Sequence, residues 1–334
     1  MSPWLFRRLA VASLVMVSVI VVTGAAVRLT GSGLGCPDWP SCTQQHLTPA
    51  FSFHPVIEFG NRMVTVLLTI VVAAAVVGAF RRRPFRRDLA WLATGLLIGV
   101  LAQAALGGLV VYTKLNPYLV MVHFLASMAL VVDAVVLLHR SNRRYGPGSA
   151  RPLVDRSLQL ATRALVALLA VVLAAGTATT GAGPHAGNAE GQVVAKRIPV
   201  ALRDMAELHS SLAILLVGLA LGLVVAIHAG AVPERVRRAG RILMAVLLAQ
   251  AAIGYTQYFT HLPAALVEIH VAGATALVIG TVQFFLALTH HPIESAAGVF
   301  GSAGGTPGRE EHANGSLVAS SAGNPHGSAE APIV

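Results

Sequence analysis

The chain has 334 residues, of which 55% are hydrophobic and only 11% are charged, and its mean hydropathy is +0.71. A water-soluble domain of this size needs more polar surface, so these values exclude an ordinary soluble protein and indicate a polytopic membrane protein. The net charge of +10 does not indicate a nucleic-acid partner, because the basic residues fall in short segments between apolar runs.

Eight apolar runs of about 18 to 25 residues are each long enough to cross about 30 Å of hydrocarbon at about 1.5 Å per residue. The first run also fits a signal peptide, but its removal would leave an odd number of spans. We therefore predict an all-α polytopic membrane protein with eight transmembrane helices. These helices are predicted at about 5–28, 57–79, 89–112, 118–138, 158–179, 204–228, 241–259 and 264–289.

The basic residues predict the orientation of the helices. The segment "RRRPFRR" at 81–87 and the arginines of every second connection are typical of loops that face the cytoplasm, whereas the other connections hold few basic residues. Both termini are then cytoplasmic, as expected for a multi-pass protein of the cell membrane. The segment 292–334 is rich in Gly, Ala and Ser, which predicts a disordered cytoplasmic tail.

An internal repeat divides the chain. Residues 101–130 and 248–277 align without a gap at a constant offset of 147 and match at 13 of 30 positions. The most informative identities are Gln103 with Gln250, Gly107 with Gly254, Thr113 with Thr260, and His123 with His270. We predict two pseudo-symmetric four-helix bundles, an N-terminal half at 1–145 and a C-terminal half at 146–291, followed by the tail at 292–334.

Four polar residues lie at a similar predicted depth, roughly 6–10 Å below the outer membrane boundary. They are Asn61, His123, His209 and His270. Ionisable residues at this depth usually mark function. Two imidazoles on facing helices of one bundle, as predicted for His209 and His270, suit the axial positions of a haem iron. Zinc or copper is the competing metal, and a hydrogen-bonded structural histidine is the alternative to any metal.

The N-terminal half has one histidine at this depth, His123, and Asn61 stands where its partner would be. A single strong ligand suits a haem that arrives and leaves. Glu58 and Arg62 share a helix face with Asn61, and Glu58 is either a proton acceptor beside a substrate or half of a helix-end ion pair. Arg62 is a candidate partner of a haem propionate or of a lipid phosphate.

Both cysteines of the chain, Cys36 and Cys42, fall in the first predicted outer loop. A disulfide is the default expectation for the outer compartment, and a redox role is the alternative. From the residues alone, two other function classes remain beside a haem enzyme. One is a cytochrome b-type electron-transfer subunit, and the other is a transporter or a thiol–disulfide membrane protein.

Six segments, in this order along eight predicted helices, resemble the haem A synthase family: "RLTGSGLGCPDWPSC", "IEFGNR", "VHFLAS", "TGAGPHAG", "ELHSSLA" and "VEIHVAGA". The resemblance implies that the C-terminal half holds a haem b cofactor through His209 and His270. It also implies that the N-terminal half takes the substrate haem O, with Glu58 and His123 lining the site. Asn61 departs from the usual pattern of the family, which has a histidine there.

The chemistry implied by the resemblance is oxidation of one methyl substituent of haem O to a formyl group, which gives haem A for terminal oxidases. The implied partners are haem O, haem O synthase, oxidase assembly factors, membrane lipid and a second copy of the chain. The second outer loop has no cysteine, although some relatives carry a pair there. Cys36 and Cys42 are therefore expected to pair with each other or to stay free.

Overall fold

The structure is a computed structural model that describes residues 1–46, 48–49, 51–142, 151–188 and 195–290. Within these ranges the helices are α1 (Pro3–Leu29), α2 (Phe53–Arg81), α3 (Arg87–Tyr112), α4 (Pro117–Ser141), α5 (Arg156–Ala182), α6 (Leu202–Ala229), α7 (Glu234–Phe259) and α8 (Ala264–Ala287). Each of them is long and apolar enough to cross a membrane. The prediction of an all-α protein with eight spans is confirmed. The predicted tail at 292–334 lies outside the described residues.

A short strand pair and a side-chain cap stabilise the segment before α5. Strand β1 (Arg151–Pro152) pairs antiparallel with β2 (Thr289–His290) and ties the segment before α5 to the end of α8. At the start of α5, the carboxylate of Asp155 accepts a hydrogen bond from the backbone N–H of Leu158. This bond lowers the pKa of the exposed Asp155 carboxyl below its usual value.

Two helices begin earlier than the hydropathy pattern predicts. Helix α7 begins at Glu234, ahead of the predicted start at 241, and α2 begins at Phe53, ahead of 57. The first turns of α7 carry several arginines, which lower the local hydropathy without preventing a helix. An ion pair of 2.5 Å between Arg241 Nη2 and Glu234 Oε1 spans these turns. The charged part of the helix was therefore missed because hydropathy reports burial in lipid and not helicity.

The eight helices pack as two rings. Each helix of α1 to α4 contacts the next and α4 returns to α1, and α5 to α8 make the same ring. Between the rings, α8 contacts α1 and α4, while α5 contacts α4. The set of contacts stays the same when α1 to α4 are exchanged with α5 to α8 in order. For example, the contact of α1 with α8 becomes the contact of α5 with α4. This is expected for a pseudo-two-fold axis between α4 and α8. The predicted boundary at residue 145 lies outside the described residues and stays a prediction.

The turns that join α3 to α4 and α7 to α8 share one backbone conformation. Lys114 and Leu115 have φ of 54° and 60°, and His261 and Leu262 have φ of 64° and 60°. These two pairs are related by the same offset of 147 as the aligned sequences. A pair of consecutive left-handed non-glycine residues is uncommon, so its recurrence supports the duplication independently of side-chain identity.

Apolar side chains lie both inside and outside the rings. One buried cluster runs through both of them, and Phe6 and Phe284 are its largest fully buried members. On the outside, Ile70, Ile98 and Val225 are 60%, 62% and 60% exposed. An apolar exterior on helices of this length suits hydrocarbon as the surrounding solvent.

Candidate functional site

The structure brings His209 of α6 and His270 of α8 together inside the second ring. Their ring centroids are 6.3 Å apart and the ring planes cross at 83°. A metal-bound ring nitrogen lies about 2.0 Å from the metal and about 1.1 Å from its own ring centre, given ring bonds of about 1.3 Å, so two trans imidazoles have centroids about 6 Å apart. The observed separation therefore fits one metal between the two rings.

The hydrogen bond of His209 also suits metal binding. Its Nδ1 lies 3.1 Å from the backbone carbonyl oxygen of Val172 in α5. Because a carbonyl only accepts, Nδ1 carries the proton and Nε2 keeps its lone pair. This is the arrangement in which ligating histidines are usually held. Nδ1 of His270, in contrast, is buried and has no hydrogen-bond partner.

Two glycines allow the imidazoles to approach the neighbouring helices closely. A Cβ atom built on Gly176 would lie 2.9 Å from Cε1 of His209, and one on Gly254 would lie 3.3 Å from Cε1 of His270. A side chain at either place would displace the ring. In the other half, a Cβ atom on Gly107 would lie 3.6 Å from Cε1 of His123, which is an ordinary van der Waals contact.

No third ligand joins this pair in the part of the chain that the structure describes. Among those residues, no group of three or more His, Cys, Asp or Glu side chains could hold a metal ion. A protein zinc site generally uses three or four such ligands. Two opposed imidazoles match the axial needs of a haem iron instead, whose other four ligands belong to the porphyrin.

In the first ring, His123 lies at the position that matches His270, and Asn61 lies at the position that matches His209. Nδ1 of His123 is buried and unpaired. The amide oxygen of Asn61 accepts a hydrogen bond of 2.7 Å from Oγ1 of Thr23 in α1. Asn61 is thereby held to the neighbouring helix α1.

Glu58 lies buried at the outer end of α2, with only 5% of its surface exposed. Its Oε1 accepts from Nη2 of Arg62 at 2.6 Å, and its Oε2 accepts from the backbone N–H of Cys36 at 2.7 Å. The ion pair that the sequence offered as one alternative is present. It does not oppose a functional role, because both bonds fix where the carboxylate points.

The terminal nitrogens of Arg62 donate hydrogen bonds to the loop between α1 and α2. Beside Glu58, the guanidinium donates to four backbone carbonyl oxygens, those of Cys36 (3.1 Å), Asp38 (2.9 Å), Pro40 (3.3 Å) and Ser41 (2.9 Å). These carbonyls belong to the loop that the Cys36–Cys42 disulfide closes. Sequence reasoning placed Arg62 beside a haem propionate or a lipid phosphate and missed this role, because carbonyls in an irregular loop leave no sequence signal.

The two halves are joined where α1 and α5 end. Nε of Arg28 in α1 donates to the carbonyl oxygen of His185 at 2.8 Å, and its Nη2 donates to that of Thr180 at 3.2 Å. The backbone N–H of Gly33 donates to the carbonyl oxygen of Gly187 at 2.8 Å. These bonds connect α1 and the loop after it with α5 and the loop after it.

Sequence analysis did not single out Asp133, although an aspartate inside the apolar run "LVVDAVVL" is a visible signal. A Cβ atom on Gly95 would lie 3.9 Å from its Oδ2, so this carboxyl lies against α3. It follows His123 along α4 at a depth about 15 Å greater.

The fold and the site define a polytopic membrane protein of two similar four-helix rings, one of which carries an opposed pair of histidines. The chain belongs to the COX15-CtaA family, described as "Cytochrome oxidase assembly protein", whose model matches residues 7–52 and 47–282. Membership of this family does not favour the alternative of a plain electron-transfer cytochrome.

Several curated relatives carry the name "Heme A synthase". The protein of Geobacillus kaustophilus is 38% identical over 132 residues, which cover 38% of this chain and 40% of the relative. The protein of Geobacillus thermodenitrificans is 36% identical over 143 residues (41% and 44%), and that of Shewanella oneidensis is 30% identical over 187 residues (51% and 53%). The chain therefore spans about half the length, or less, of the curated relatives it matches.

Proposed function

We propose that the protein is a haem A synthase, which oxidises one methyl substituent of haem O to a formyl group. The observation that carries the proposal is the opposed imidazole pair of His209 and His270 at 6.3 Å in one ring. The other ring supports it with His123 and with the buried, oriented carboxylate of Glu58. The name shared by the curated relatives gives the substrate class.

In the C-terminal half, His209 and His270 would hold a haem b. Such a haem would supply one-electron transfer. The protein contributes the proton-bearing Nδ1 of His209 held by the Val172 carbonyl, and the glycines that let both rings approach.

In the N-terminal half, His123 would bind the iron of haem O from one side. Asn61 is tied to Thr23, so the opposite side has no strong protein ligand from this position. Single ligation favours exchange of substrate and product. Arg62 would also lie beside the substrate. Its hydrogen bonds to the loop carbonyls support a role in holding the loop between α1 and α2 over the ring.

The reaction would pass through a hydroxymethyl group and a hydrated aldehyde that loses water. Overall, methyl plus one water becomes formyl, while four electrons and four protons leave. An external acceptor would take up the electrons, and the haem held by His209 and His270 would supply one-electron chemistry for this transfer. Glu58 would accept a proton or stabilise positive charge at the reacting carbon, and its two hydrogen bonds hold it in one orientation for this step.

The orientation of the protein belongs to the same proposal. Cytoplasmic termini and residence in the cell membrane are supported by the arginines between every second pair of helices. Glu58, both imidazole sites and the disulfide then lie toward the outer face. Association with haem O synthase, with oxidase assembly factors or with a second copy of the chain stays a prediction.

The test is production of haem A in a host that makes haem O and no haem A. Membranes from cells with and without the protein are extracted, and the haems are separated by chromatography. Haem A is expected only where the protein is present. Haem O alone in both membranes, with the protein correctly inserted, would contradict the proposal.

A further inference from the structure

We propose that Gln257 is a positioning residue for His270. Its amide oxygen would accept a hydrogen bond from the Nδ1–H of His270 when the haem is bound, and so fix the orientation of that imidazole. The inference rests on the proposed function, in which His209 and His270 hold the haem of the C-terminal half.

Two complementary atoms are left without partners in this half. Nδ1 of His270 and Oε1 of Gln257 are both buried, and neither has a hydrogen-bond partner. Leaving a buried polar atom unpaired is unfavourable, and most such atoms in folded proteins are paired. When Nε2 of His270 binds a metal, Nδ1 carries the proton and becomes a hydrogen-bond donor. The amide oxygen of Gln257 is an acceptor that lacks a donor.

Helix geometry directs the two side chains toward each other. Gln257 follows Gly254 by three residues and shares its face of α7. A Cβ atom on Gly254 would lie 3.9 Å from Nδ1 of His270. A helical side chain leans toward the start of its own helix, so Gln257 reaches back over Gly254 while His270 leans toward the α7–α8 turn. Gly254 leaves the space between them open.

His209, the other proposed ligand, already has a hydrogen-bond partner for its Nδ1. His209 is held through Nδ1 by the Val172 carbonyl at 3.1 Å. Metal-binding histidines almost always donate this second N–H to an acceptor, which fixes the ring and strengthens the ligand. Gln257 gives His270 the equivalent bond from a side chain.

The repeat shows that this acceptor belongs to one half alone. The offset of 147 places Val110 at the position of Gln257, Gly107 at that of Gly254 and His123 at that of His270. A valine accepts no hydrogen bond, and Nδ1 of His123 is buried and unpaired. The oriented imidazole therefore lies in the half proposed to keep its haem.

Glu268 is the competing acceptor, because both of its carboxylate oxygens are also buried and unpaired. It precedes His270 by two residues, which is about 200° around the helix. Its side chain therefore leaves α8 on a different face from the imidazole. Glu268 provides the matched control.

The test uses the full chain purified with its haem, and measures the midpoint potential and the rate of haem transfer to apomyoglobin. Gln257→Val installs the residue of the other half. It is expected to raise the potential, because a weaker donor ligand stabilises ferric iron less, and to weaken haem retention by about 10- to 100-fold. Gln257→Glu keeps a stronger acceptor and is expected to lower the potential below wild type. Glu268→Gln is expected to match wild type in both.

Wild-type potential and retention in Gln257→Val would overturn the inference, and so would shifts that follow Glu268→Gln instead. If Gln257→Val fails to fold, Gln257→Glu decides, and an unchanged potential in that variant counts against the inference. The reference is His270→Ala. If that variant keeps the low-spin spectrum of wild type, the proposed ligation fails, and not merely its support by Gln257.

Discussion

The two halves of the molecule share a scaffold and differ in a few side chains at matching places. The C-terminal ring has His209 where the N-terminal ring has Asn61, and it has Gln257 where the other has Val110. In the alignment of Asn61 with His209, Glu58 falls opposite Ala206. On the proposed function, one ring thus carries two ligands and an acceptor for one of them, while the other carries His123 as its one ligand and Glu58 as its carboxylate.

This difference shows how a duplicated bundle acquires two tasks. The helix contacts and the left-handed turns are common to both halves, so neither explains the division of roles. The distinguishing groups lie near the starts of α2 and α6 and near the end of α7. There the N-terminal half adds the loop closed by Cys36 and Cys42. Arg62 contacts both this loop and Glu58 and so links them.

The largest effect is expected from removing a ligand of the C-terminal half. His209→Ala leaves one axial position empty and removes the partner of the Val172 carbonyl. The affinity for haem b should fall at least about 100-fold, because even the loss of a residue that supports a ligand lowers metal affinity about 10- to 100-fold. The measurement is the haem b content after purification. His228→Ala, at the exposed inner end of α6, is the control. Wild-type haem content in His209→Ala would contradict the ligand assignment.

Glu58→Gln should separate chemistry from haem binding. The amide keeps the shape but not the charge or the basicity, so haem A yield should fall by about 10²- to 10⁴-fold while haem b in the other half is retained. Glu207→Gln is the control, because Glu207 forms an exposed ion pair of 2.8 Å with Arg203. An undiminished haem A yield in Glu58→Gln, measured by extraction and chromatography, would remove Glu58 from the mechanism.

Arg62→Lys tests the link between the carboxylate and the outer loop. A lysine has one donor group and does not reproduce the contacts of a planar guanidinium. Loss of a hydrogen bond to a charged group costs about 1.5–3 kcal/mol, so the loop should open about tenfold or more often. The measurement is the rate at which the two cysteines are alkylated under mild reduction.

Arg203→Lys on an exposed face is the control for that substitution. Equal alkylation rates in Arg62→Lys and wild type would show that the guanidinium does not hold the loop. A faster rate together with a lower haem A yield would connect the loop to the position of Glu58.

The smallest expected change comes from Asn61→His, which makes the N-terminal ring resemble the other one. A second imidazole opposite His123 should retain haem there after purification, so bound haem per chain should rise about twofold with a second low-spin signal. Asn61→Ala also breaks the bond to Thr23 and is the control. Equal haem content in both variants would show that more than this residue separates the two sites.

The fold and the ligand positions follow from the sequence because both depend on periodic or repeated features. Apolar runs reveal the spans, and the offset of 147 pairs His270 with His123. The start of α7 was mispredicted because charged residues can be helical outside lipid. The contacts of Arg62 and the Val172 carbonyl were not predictable, since backbone acceptors depend on tertiary packing and not on residue type. Nothing in the sequence marks Gln257, whose Oε1 the structure shows buried and without a hydrogen-bond partner.

The central claim is the division between a half that keeps a haem and a half that transforms one. Its most direct test is the haem content of His123→Ala and His270→Ala, purified side by side and analysed by chromatography of the extracted haems. His123→Ala is expected to retain haem b at the wild-type level and to yield no haem A, while His270→Ala is expected to lose haem b. Loss of haem b from His123→Ala with retention in His270→Ala would contradict the claim.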